Sequence, residues 1–287
     1  MPILIKGKEL AQELRETLGK RIEKTKSQTG SAPGLAVIQV GSDPASSIYV
    51  RNKQKACQAC GIKSYGYELP EEVSQAELME LIDTLNQDAK VNGILCQLPL
   101  PDHLDEFAVT QAILPEKDVD GFHAVNIGLL SMGRDCLVPC TPAGILAMLK
   151  AYDIPLKGQR CVIIGRSNIV GKPVVQLMLK EHATVTIAHS RTRDLPGLCR
   201  NADILISAIG KARFVSPEYV KPGAVVIDVG INRDDAGKVV GDVDFTSVAS
   251  IASAITPVPG GVGPMTIAML LENTFQAYLK QNNVSEE

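Results

Sequence analysis

The sequence predicts an α/β protein of two domains, the second of them a doubly wound parallel sheet. The chain has 287 residues, more than most single compact cores contain. In the second half, helical patterns alternate with short apolar runs at 160–165, 183–189, 203–208 and 224–229. Alternation of this kind is typical of parallel strands with helices on both faces of the sheet.

Each element of the first half has a signal of its own. Apolar residues recur at helical spacing from Gly7, and the run 34–41 predicts a strand. The segment 42–44, Ser-Asp-Pro, then supplies a helix cap with proline at the first helical position. Ser74 and Glu77 form a capping box that begins the next helix.

The remaining elements follow turn and proline signals. The run 93–98 predicts a strand that ends at a Pro-Leu-Pro segment, and 103–114 predicts a helix. Thr141 and the proline after it repeat the cap-and-proline start of a helix. The segment 256–264 holds three glycines and three prolines, which suggests close approach of its backbone to another group. Pro264 begins the final helix.

Composition excludes several classes of protein. A formal net charge of -3 gives no indication of nucleic-acid binding. No apolar run reaches the length that spans a membrane, and the N-terminus lacks a signal-peptide pattern. The seven cysteines are scattered, without a second pair at zinc spacing, so we expect a reducing, cytoplasmic environment and no metal site.

Three polar side chains share one face of the helix that follows the first long strand. Ser46, Tyr49 and Lys53 stand at helical spacing, near the carboxyl end of that strand. An aromatic ring beside an amine in this position suggests a binding site. Arg51 and Lys55 lie close by, however, and the pattern alone favours a solvated basic helix.

Gln97 and two aspartates follow the strand at 93–98. Gln97 lies at the carboxyl end of that strand, where ligands bind in open α/β sheets. Asp118 and Asp120 occupy a polar turn before Gly121, and functional side chains are common on such loops. Asp-Gly is also an ordinary turn dipeptide, so turn formation explains the aspartates equally well.

The turn after the strand 160–165 has features of a dinucleotide-binding loop. A glycine turn between strand and helix holds a pyrophosphate on the helix N-terminus. The spacing departs from the usual G-x-G-x-x-G, because Ser167 replaces the second glycine, Val170 replaces the third and Gly171 comes one residue late. The turn by itself therefore fits an ordinary strand–helix connection as well.

The end of the next strand distinguishes between the two nicotinamide cofactors. An NAD enzyme places a carboxylate there, on the ribose 2′-hydroxyl. This chain has Ser190 and Arg191 instead, with Arg166 available from the first turn, and arginine suits a phosphate. The residues therefore predict NADP. Ile231 follows the last clear strand, where the nicotinamide half of the cofactor is expected.

Six motifs stand in one order along the chain: Tyr49-Val-Arg-Asn-Lys53, Gly93-Ile-Leu-Cys-Gln97-Leu-Pro-Leu-Pro, Lys117-Asp-Val-Asp120-Gly121, Pro139-Cys-Thr-Pro142, Gly165-Arg-Ser-Asn-Ile-Val-Gly171 and Ile255-Thr-Pro-Val-Pro-Gly-Gly-Val-Gly-Pro-Met-Thr266. With these motifs the chain resembles the bifunctional methylenetetrahydrofolate dehydrogenase/methenyltetrahydrofolate cyclohydrolase family over almost its whole length. The resemblance implies oxidation of 5,10-methylenetetrahydrofolate with NADP, followed by hydrolysis to 10-formyltetrahydrofolate.

The resemblance also implies an architecture. It gives an N-terminal three-layer αβα domain over 1–139 that binds folate, and a Rossmann domain over 140–265 that binds NADP. The two domains are expected to enclose a cleft, and the final helix, 266–287, to pack back onto the first domain. The family is usually homodimeric.

Site residues follow from the same resemblance. Lys53 becomes the catalytic residue and Gln97 its partner, while Tyr49 stacks on the folate and Asp120 binds the pterin. The other implied substrate contacts are Ser46, Leu98, Pro259, Gly260 and Gly261. The implied NADP contacts are Gly165, Arg166, Ser167, Ser190, Arg191 and Ile231.

Three other interpretations stay open at this point. A family member can retain one of the two activities, since both use one site. An NADP dehydrogenase of another substrate class, such as shikimate dehydrogenase, shares the two-domain plan but predicts no Tyr-x-x-x-Lys helix paired with Gln-Leu-Pro-Leu. An NADP-binding sensor would not need an intact set of Lys53, Gln97 and Asp120.

Overall fold

The structure is a computed structural model that describes residues 1–285, apart from the side chains of residues 44–46. Its contacts divide the chain into two compact units. The N-terminal unit comprises Gln12–Cys140 and the chain from Ile267 onward, and the C-terminal unit comprises Met1–Ala11 and Thr141–Thr266.

The elements alternate along most of the chain. In chain order the strands are β1 (Ile3–Leu4), β2 (Gly34–Val40), β3 (Lys63–Leu69), β4 (Gly93–Cys96), β5 (Arg160–Ile164), β6 (Thr184–Ala188), β7 (Ile204–Ser207), β8 (Val225–Asp228), β9 (Asn232–Arg233), β10 (Val239–Val240) and β11 (Ala254–Ile255). The α-helices are α1 (Gly7–Thr29), α2 (Pro44–Cys60), α3 (Gln75–Gln87), α4 (Glu106–Ala112), α5 (Ala124–Ser131), α6 (Cys140–Ala151), α7 (Gly171–Lys180), α8 (Leu195–Cys199), α9 (Phe245–Val248) and α10 (Val262–Gln281).

Strand β2 lies at the centre of a three-stranded parallel sheet of order β3-β2-β4. Leu35 and Val37 pack into a core shared with α1, α2 and α10. Ala36 and Ile38 pack into a second core with α3 and α4. Successive side chains of a strand point to opposite faces of its sheet, so both faces are covered by helices. The predicted three-layer αβα arrangement is confirmed.

The C-terminal unit contains a six-stranded parallel sheet of order β1-β11-β8-β7-β5-β6. From β5 the chain passes to β6 at the edge and then returns to β7 on the other side of β5. The connections therefore reverse direction between β5 and β7, and ligands bind at the carboxyl ends of strands at such a point. The predicted doubly wound sheet is confirmed.

The N-terminal boundary of the predicted first domain differs from the structure. The prediction places all of 1–139 in one domain, whereas Met1–Ala11 belong to the C-terminal unit. The reason is the pairing of β1 with β11, in which Ile3 lies opposite Ala254 and Leu4 opposite Ile255. A strand of two residues leaves no periodic pattern from which this pairing could be predicted.

Capping chemistry sets several helix boundaries. Helix α2 begins at Pro44, as predicted, and both hydrogen bonds of the Ser74–Glu77 capping box are present before α3. The helix predicted over 103–114 is shorter, because the Asp105 side chain accepts from the Ala108 N–H and the helix begins only after this cap. Within the described residues, none of the helices has the length and apolar character needed to cross a membrane.

Candidate active site and dinucleotide site

Lys53 of α2 and Gln97, just beyond β4, meet at the carboxyl end of the three-stranded sheet. Lys53 Nζ donates a hydrogen bond to Gln97 Oε1 at 3.0 Å. Helix α2 follows the central strand β2, and Gln97 follows the neighbouring strand β4. The strand connections of this sheet also reverse direction between β2 and β4, and both residues lie at that point. Lys53 is only 9% exposed. The solvated-helix interpretation is therefore wrong for Lys53, although it describes Arg51 and Lys55, which are exposed.

The orientation of the Gln97 carboxamide is fixed from both sides. Its backbone N–H donates to the Ile38 carbonyl at 2.8 Å, which continues the hydrogen-bonding pattern of the sheet. Its side-chain Nε2 donates to the Leu98 carbonyl at 2.6 Å. Because the amide nitrogen is occupied in this way, the amide oxygen is the atom that faces the lysine. Leu98 itself is half-buried beside the pair.

The two aspartates of the polar turn have different environments. Asp118 is 2% exposed, and its carboxylate accepts from the backbone N–H groups of Phe122 (3.1 Å) and His123 (2.8 Å) and from Asn126 Nδ2 (2.8 Å). Asp118 thus forms the turn. Asp120 is half-buried, and the hydrogen bond of its carboxylate is a long one from Cys140 Sγ, at 3.9 Å. Its acceptor capacity is therefore largely available to a ligand.

Burial and neighbouring charge set the ionisation of Asp120. Burial raises the pKa of this carboxyl from 3.8 to about 6, and the charge of Asp118 adds to the increase, while the cation of Lys53 opposes it. The Cys140 thiol lies in the same pocket, where burial and then the Asp120 charge hold its pKa well above the usual range. The thiol is therefore a neutral hydrogen-bond donor.

The other two predicted residues of α2 are Tyr49 and Ser46. Tyr49 lies one helical turn before Lys53 and is 37% exposed. Ser46 lies outside the residues whose side chains are described.

Asn273 of α10 is a site-supporting residue that the sequence analysis missed. Its Nδ2 donates to the carbonyls of Val119 and Val138, each at 2.8 Å, and lies 3.6 Å from Cys140 Sγ. It thereby ties the segment before Asp120 to the final helix. One signal was present in the sequence: a polar residue on the apolar face of the predicted final helix, three positions after Leu270.

The glycine turn after β5 explains its unusual spacing. Gly165 has φ +125°, and a Cβ atom there would meet the Ala208 carbonyl, while a Cβ on Gly171 would meet the Gly165 carbonyl. Ser167 Oγ accepts from the N–H groups of Val170 (3.1 Å) and Gly171 (3.3 Å). The Ser167 hydroxyl, which accepts from the first N–H of α7, therefore stands in place of the second glycine, and Gly171 lies where a side chain would clash with the Gly165 carbonyl. Arg166 and Ser167 are exposed at this helix N-terminus.

The end of β6 forms a basic turn. His189 Nδ1 accepts from the Arg191 backbone N–H at 3.1 Å, and the Thr192 N–H donates to the His189 carbonyl at 2.9 Å. Ser190 and Arg191 are exposed on this turn. Within residues 1–285, neither the Arg191 nor the Arg166 guanidinium forms a salt bridge. Two available guanidinium groups and the N-terminus of α7 suit a dinucleotide with a 2′-phosphate.

The loop predicted to lie along the folate is packed within the C-terminal unit. The Gly260 carbonyl accepts from the Lys8 N–H at 2.9 Å, and Gly260 has φ +103°. A Cβ on Gly7 would meet the Gly261 carbonyl, and Pro259 precedes this turn. Ile231 is 52% exposed and lies near the end of the loop, 3.6 Å from where a Cβ on Gly263 would be.

Models of one protein family match both parts of the chain. A family model described as tetrahydrofolate dehydrogenase/cyclohydrolase, catalytic domain, matches residues 5–120, and the NAD(P)-binding domain of the same family matches residues 139–282. The chain is 56% identical over 278 residues to the bifunctional protein FolD of Streptococcus equi subsp. zooepidemicus, which covers 97% of this chain and 98% of that protein.

Solved structures are similar over the same extent. The bifunctional FolD methylenetetrahydrofolate dehydrogenase/cyclohydrolase of Campylobacter jejuni is 50% identical, with a TM-score of 0.96 and coverage of 98% and 99% of the two chains. The Trypanosoma brucei dehydrogenase-cyclohydrolase, solved with NADP and an inhibitor, is 38% identical, with a TM-score of 0.94 and coverage of 99% of each chain. A shikimate dehydrogenase from Thermus thermophilus shares the fold alone, at 15% identity and a TM-score of 0.53, with coverage of 89% and 95%.

These similarities exclude the interpretation as another dehydrogenase or a sensor. The chain belongs to the tetrahydrofolate dehydrogenase/cyclohydrolase family, with the methylenetetrahydrofolate dehydrogenase activity, the methenyltetrahydrofolate cyclohydrolase activity and the NADP cofactor of that bifunctional enzyme.

Proposed function

We propose that Lys53 is the acid–base residue of this enzyme and that Gln97 and Asp120 complete its catalytic group. The observation that carries the proposal is the 3.0 Å hydrogen bond from the nearly buried Lys53 amine to an amide oxygen whose orientation is itself fixed. The half-buried carboxylate of Asp120 interacts electrostatically with the same amine. An amine held this way suits proton transfer, which needs a defined direction.

In the dehydrogenase step the protein mainly orients its ligands. NADP bound at the two turns of the C-terminal unit would supply the acceptor for a hydride from the one-carbon bridge of 5,10-methylenetetrahydrofolate. Tyr49 stacks on the folate ring system and the Asp120 carboxylate accepts hydrogen bonds from the pterin, so the bridge is held in one orientation. Hydride loss leaves a cation shared by the two bridging nitrogens of the folate, and the Asp120 charge stabilises it.

In the cyclohydrolase step water adds to the cationic bridge carbon. The adduct then opens when one carbon–nitrogen bond breaks, which leaves a formyl group on the other nitrogen and releases one proton overall. Lys53 carries a proton from the added oxygen toward the leaving nitrogen. Gln97 keeps the amine directed at the bridge throughout.

NADP binding is proposed for the residues around the two turns of the C-terminal unit. The backbone from Gly165 to Ser167 lies at the N-terminus of α7 and suits the pyrophosphate. Ser190, Arg191 and Arg166 suit the 2′-phosphate, because arginine pairs with phosphate through two parallel N–H bonds. The exposed side chain of Ile231 contacts the nicotinamide half. The C-terminal unit is thereby assigned to NADP and the N-terminal unit to folate.

Further folate contacts are proposed for five residues. Two belong to the N-terminal unit and three to the loop after β11. They are Ser46, Leu98, Pro259, Gly260 and Gly261.

The test is whether removal of the Lys53 amine abolishes hydrolysis of methenyltetrahydrofolate in a folded protein. Methenyltetrahydrofolate absorbs strongly in the near ultraviolet, so its decay can be followed directly. Hydrolysis at the unmodified rate by a folded Lys53→Met variant would show that another group transfers the proton.

A homodimer formed along β6 is also proposed. Strand β6 is an edge of the six-stranded sheet, and Ile187 on it is 37% exposed. Leu179 of α7, the helix that packs on β6, is 48% exposed. An open edge with apolar neighbours suits pairing with a second copy. Ile187→Lys should then sediment as a monomer, whereas an unchanged dimer would place the interface elsewhere.

A cytoplasmic location is the last part of the proposal. None of the seven cysteines, all of them within the described residues, forms a disulfide, and six of them are buried. Extracellular proteins of this size commonly carry disulfides, so cysteines without disulfides favour a reducing compartment.

A further inference from the structure

Two aspartates with no part in the proposed chemistry are buried together in the C-terminal unit. Asp228, the last residue of β8, is 3% exposed, and Asp242, shortly after β10, is 0% exposed. Burial of a carboxylate is costly unless hydrogen bonds compensate it. The donors that compensate this pair lie on the loop after β7, around the start of β9 and shortly after β10.

Asp242 accepts from the loop after β7 and from the first residue of β9. Its Oδ2 accepts from the N–H groups of Ile209 (2.8 Å) and Gly210 (3.3 Å). Its Oδ1 accepts from the N–H of Lys211 (2.9 Å) and from Asn232 Nδ2 (3.0 Å). One carboxylate therefore fixes three successive backbone amides of the loop and joins them to the start of β9.

Asp228 fixes the segments on either side of Asp242. It accepts from the N–H groups of Gly230 (3.0 Å), Asp242 (2.8 Å) and Val243 (2.9 Å). Burial raises the pKa of Asp228 to about 6, against the effect of these amides, and the charge of Asp242 contributes to the increase.

Each aspartate carboxylate fills the space that a side chain would need at the glycine next to the other aspartate. A Cβ on Gly230, two residues after Asp228, would meet the Asp242 carboxylate. A Cβ on Gly241, just before Asp242, would meet the Asp228 carboxylate. The two glycines and the two aspartates therefore form one packed unit, in which no member can change without moving the loops.

This unit lies beside the dinucleotide turn. The Ala208 carbonyl is the group that a Cβ on Gly165 would meet, and the Ala208 N–H donates to the Ile164 carbonyl at 2.8 Å. The loop held by Asp242 begins at the very next residue. Ile231 lies between Gly230 and Asn232, both of which are hydrogen-bonded to the aspartate pair.

We propose that Asp242, together with Asp228, is a positioning residue that fixes the backbone of residues 209–211 and 230–232 against the nicotinamide half of the cofactor. This inference rests on the proposed NADP site, because it is that site which places Ile231 at the nicotinamide. The adenosine half of the cofactor, held by Ser190 and Arg191 at the end of β6, makes no use of the pair. Loss of Asp242 should therefore affect the two halves of NADP unequally.

The experiment compares two ligands on Asp242→Asn: NADP, and adenosine 2′,5′-bisphosphate, which has the 2′-phosphate but no nicotinamide. Asparagine places an NH₂ group where backbone N–H donors converge, so it cannot satisfy them all. Titration calorimetry should show NADP bound at least ~10-fold more weakly, with the bisphosphate changed less than about twofold. The dehydrogenase kcat should fall as well. Asp235→Asn, which alters an exposed carboxylate of the same segment, is the matched control.

Every outcome is informative. Equal weakening of both ligands, as local unfolding would produce, overturns the inference, and so does no weakening of either. If Asp242→Asn does not fold, Asn232→Ala replaces it, since this milder change removes one donor to Asp242 on the loop beside Ile231. The same split between ligands is expected. Arg191→Ala tests the proposed NADP site separately from the aspartate pair. If this variant binds the bisphosphate at full affinity, the proposed NADP site is wrong.

Discussion

The Asn273 carboxamide donates to the Val119 carbonyl at 2.8 Å, across 154 positions of the chain. A second bond of the same length joins it to the Val138 carbonyl. Val119 directly precedes Asp120, so the backbone that carries this carboxylate is anchored to the final helix. Two hydrogen bonds from a helix thereby support a candidate binding residue that lies on a loop.

Asn273→Ala should destabilise the protein through this anchor. It leaves the half-buried Val138 carbonyl without its Asn273 donor and the Val119 carbonyl with only the weaker Cys140 thiol, and an unsatisfied buried group costs about 1–3 kcal/mol. Denaturant unfolding followed by circular dichroism measures the loss. Asn282→Ala is the matched control, because Asn282 is exposed and its carboxamide bonds only within the end of the same helix, to the Tyr278 carbonyl. Similar stabilities of the two variants would contradict the anchoring role.

Lys53→Met should abolish the cyclohydrolase activity while the protein stays folded. Loss of a general acid–base typically costs ~10²–10⁴ in rate, and methionine keeps the apolar length of the side chain. The decay of methenyltetrahydrofolate gives the rate. Lys55→Met removes an equal charge from the exposed side of the same helix and should keep its rate within about twofold. If both variants slow equally, general electrostatics is responsible, not the Lys53–Gln97 pair.

Asp120→Asn should stabilise the protein at neutral and basic pH. Burial raises the Asp120 pKa from 3.8 to about 6, so the folded protein binds this proton more tightly than the unfolded chain. The resulting contribution to the free energy of unfolding is complete below pH ~3.8 and is lost as pH rises through ~6. The free energy of unfolding of the variant should therefore exceed that of the unmodified protein by ~1–3 kcal/mol at pH 8.

Denaturant unfolding from pH 4 to pH 8 measures this difference, which should close on the acid side. Burial also raises the pKa of Asp228 to about 6. Asp228 is present in both proteins, so its contribution to the pH dependence of stability is the same in each and does not affect the difference. Asp102→Asn alters an exposed carboxylate and should show no such pH dependence. If the difference in free energy of unfolding between the two proteins grows on acidification, the raised pKa of Asp120 does not explain it. In binding assays, Asp120→Asn should weaken folate more than NADP.

Arg191→Ala should weaken NADP and leave NAD unchanged. The guanidinium is exposed on the turn after β6, and charged hydrogen bonds of this kind are worth about 1.5–3 kcal/mol, or roughly 10- to 100-fold in affinity. Dehydrogenase rates with each cofactor over a range of concentrations give both values. Arg193→Ala removes the same charge two residues later and serves as the control. Parallel loss with NADP and NAD would mean that the 2′-phosphate is bound elsewhere.

Local signals in the sequence were sufficient for much of the fold and for the composition of the site. The capping box at Ser74 and Glu77 and the proline start of α2 were correctly predicted because such signals act within four residues. The absence of an acid after β6 favoured NADP for the same reason, since the relevant residues are adjacent in the chain. The motifs around Lys53 and Gln97 indicated the family.

Contacts between residues far apart in the chain could not be predicted from the sequence. Charge pattern alone placed Lys53 on a solvated helix, and only the packing of α2 on the three-stranded sheet shows that its amine is buried against Gln97. Asp118 and Asp120 have the same residue type in one turn, yet the first forms the turn and the second faces Lys53. Such differences depend on which side chains the sheet brings together.

The sequence by itself determined where strands and helices begin, which cofactor the turns favour and to which family the chain belongs, because each of these depends on neighbouring residues. The tertiary structure alone established burial, ionisation and support: the raised pKa of Asp120, its anchor at Asn273 and the aspartate pair at the dinucleotide turn. These arise from desolvation and from hydrogen bonds between segments far apart in the chain, and no local pattern encodes them.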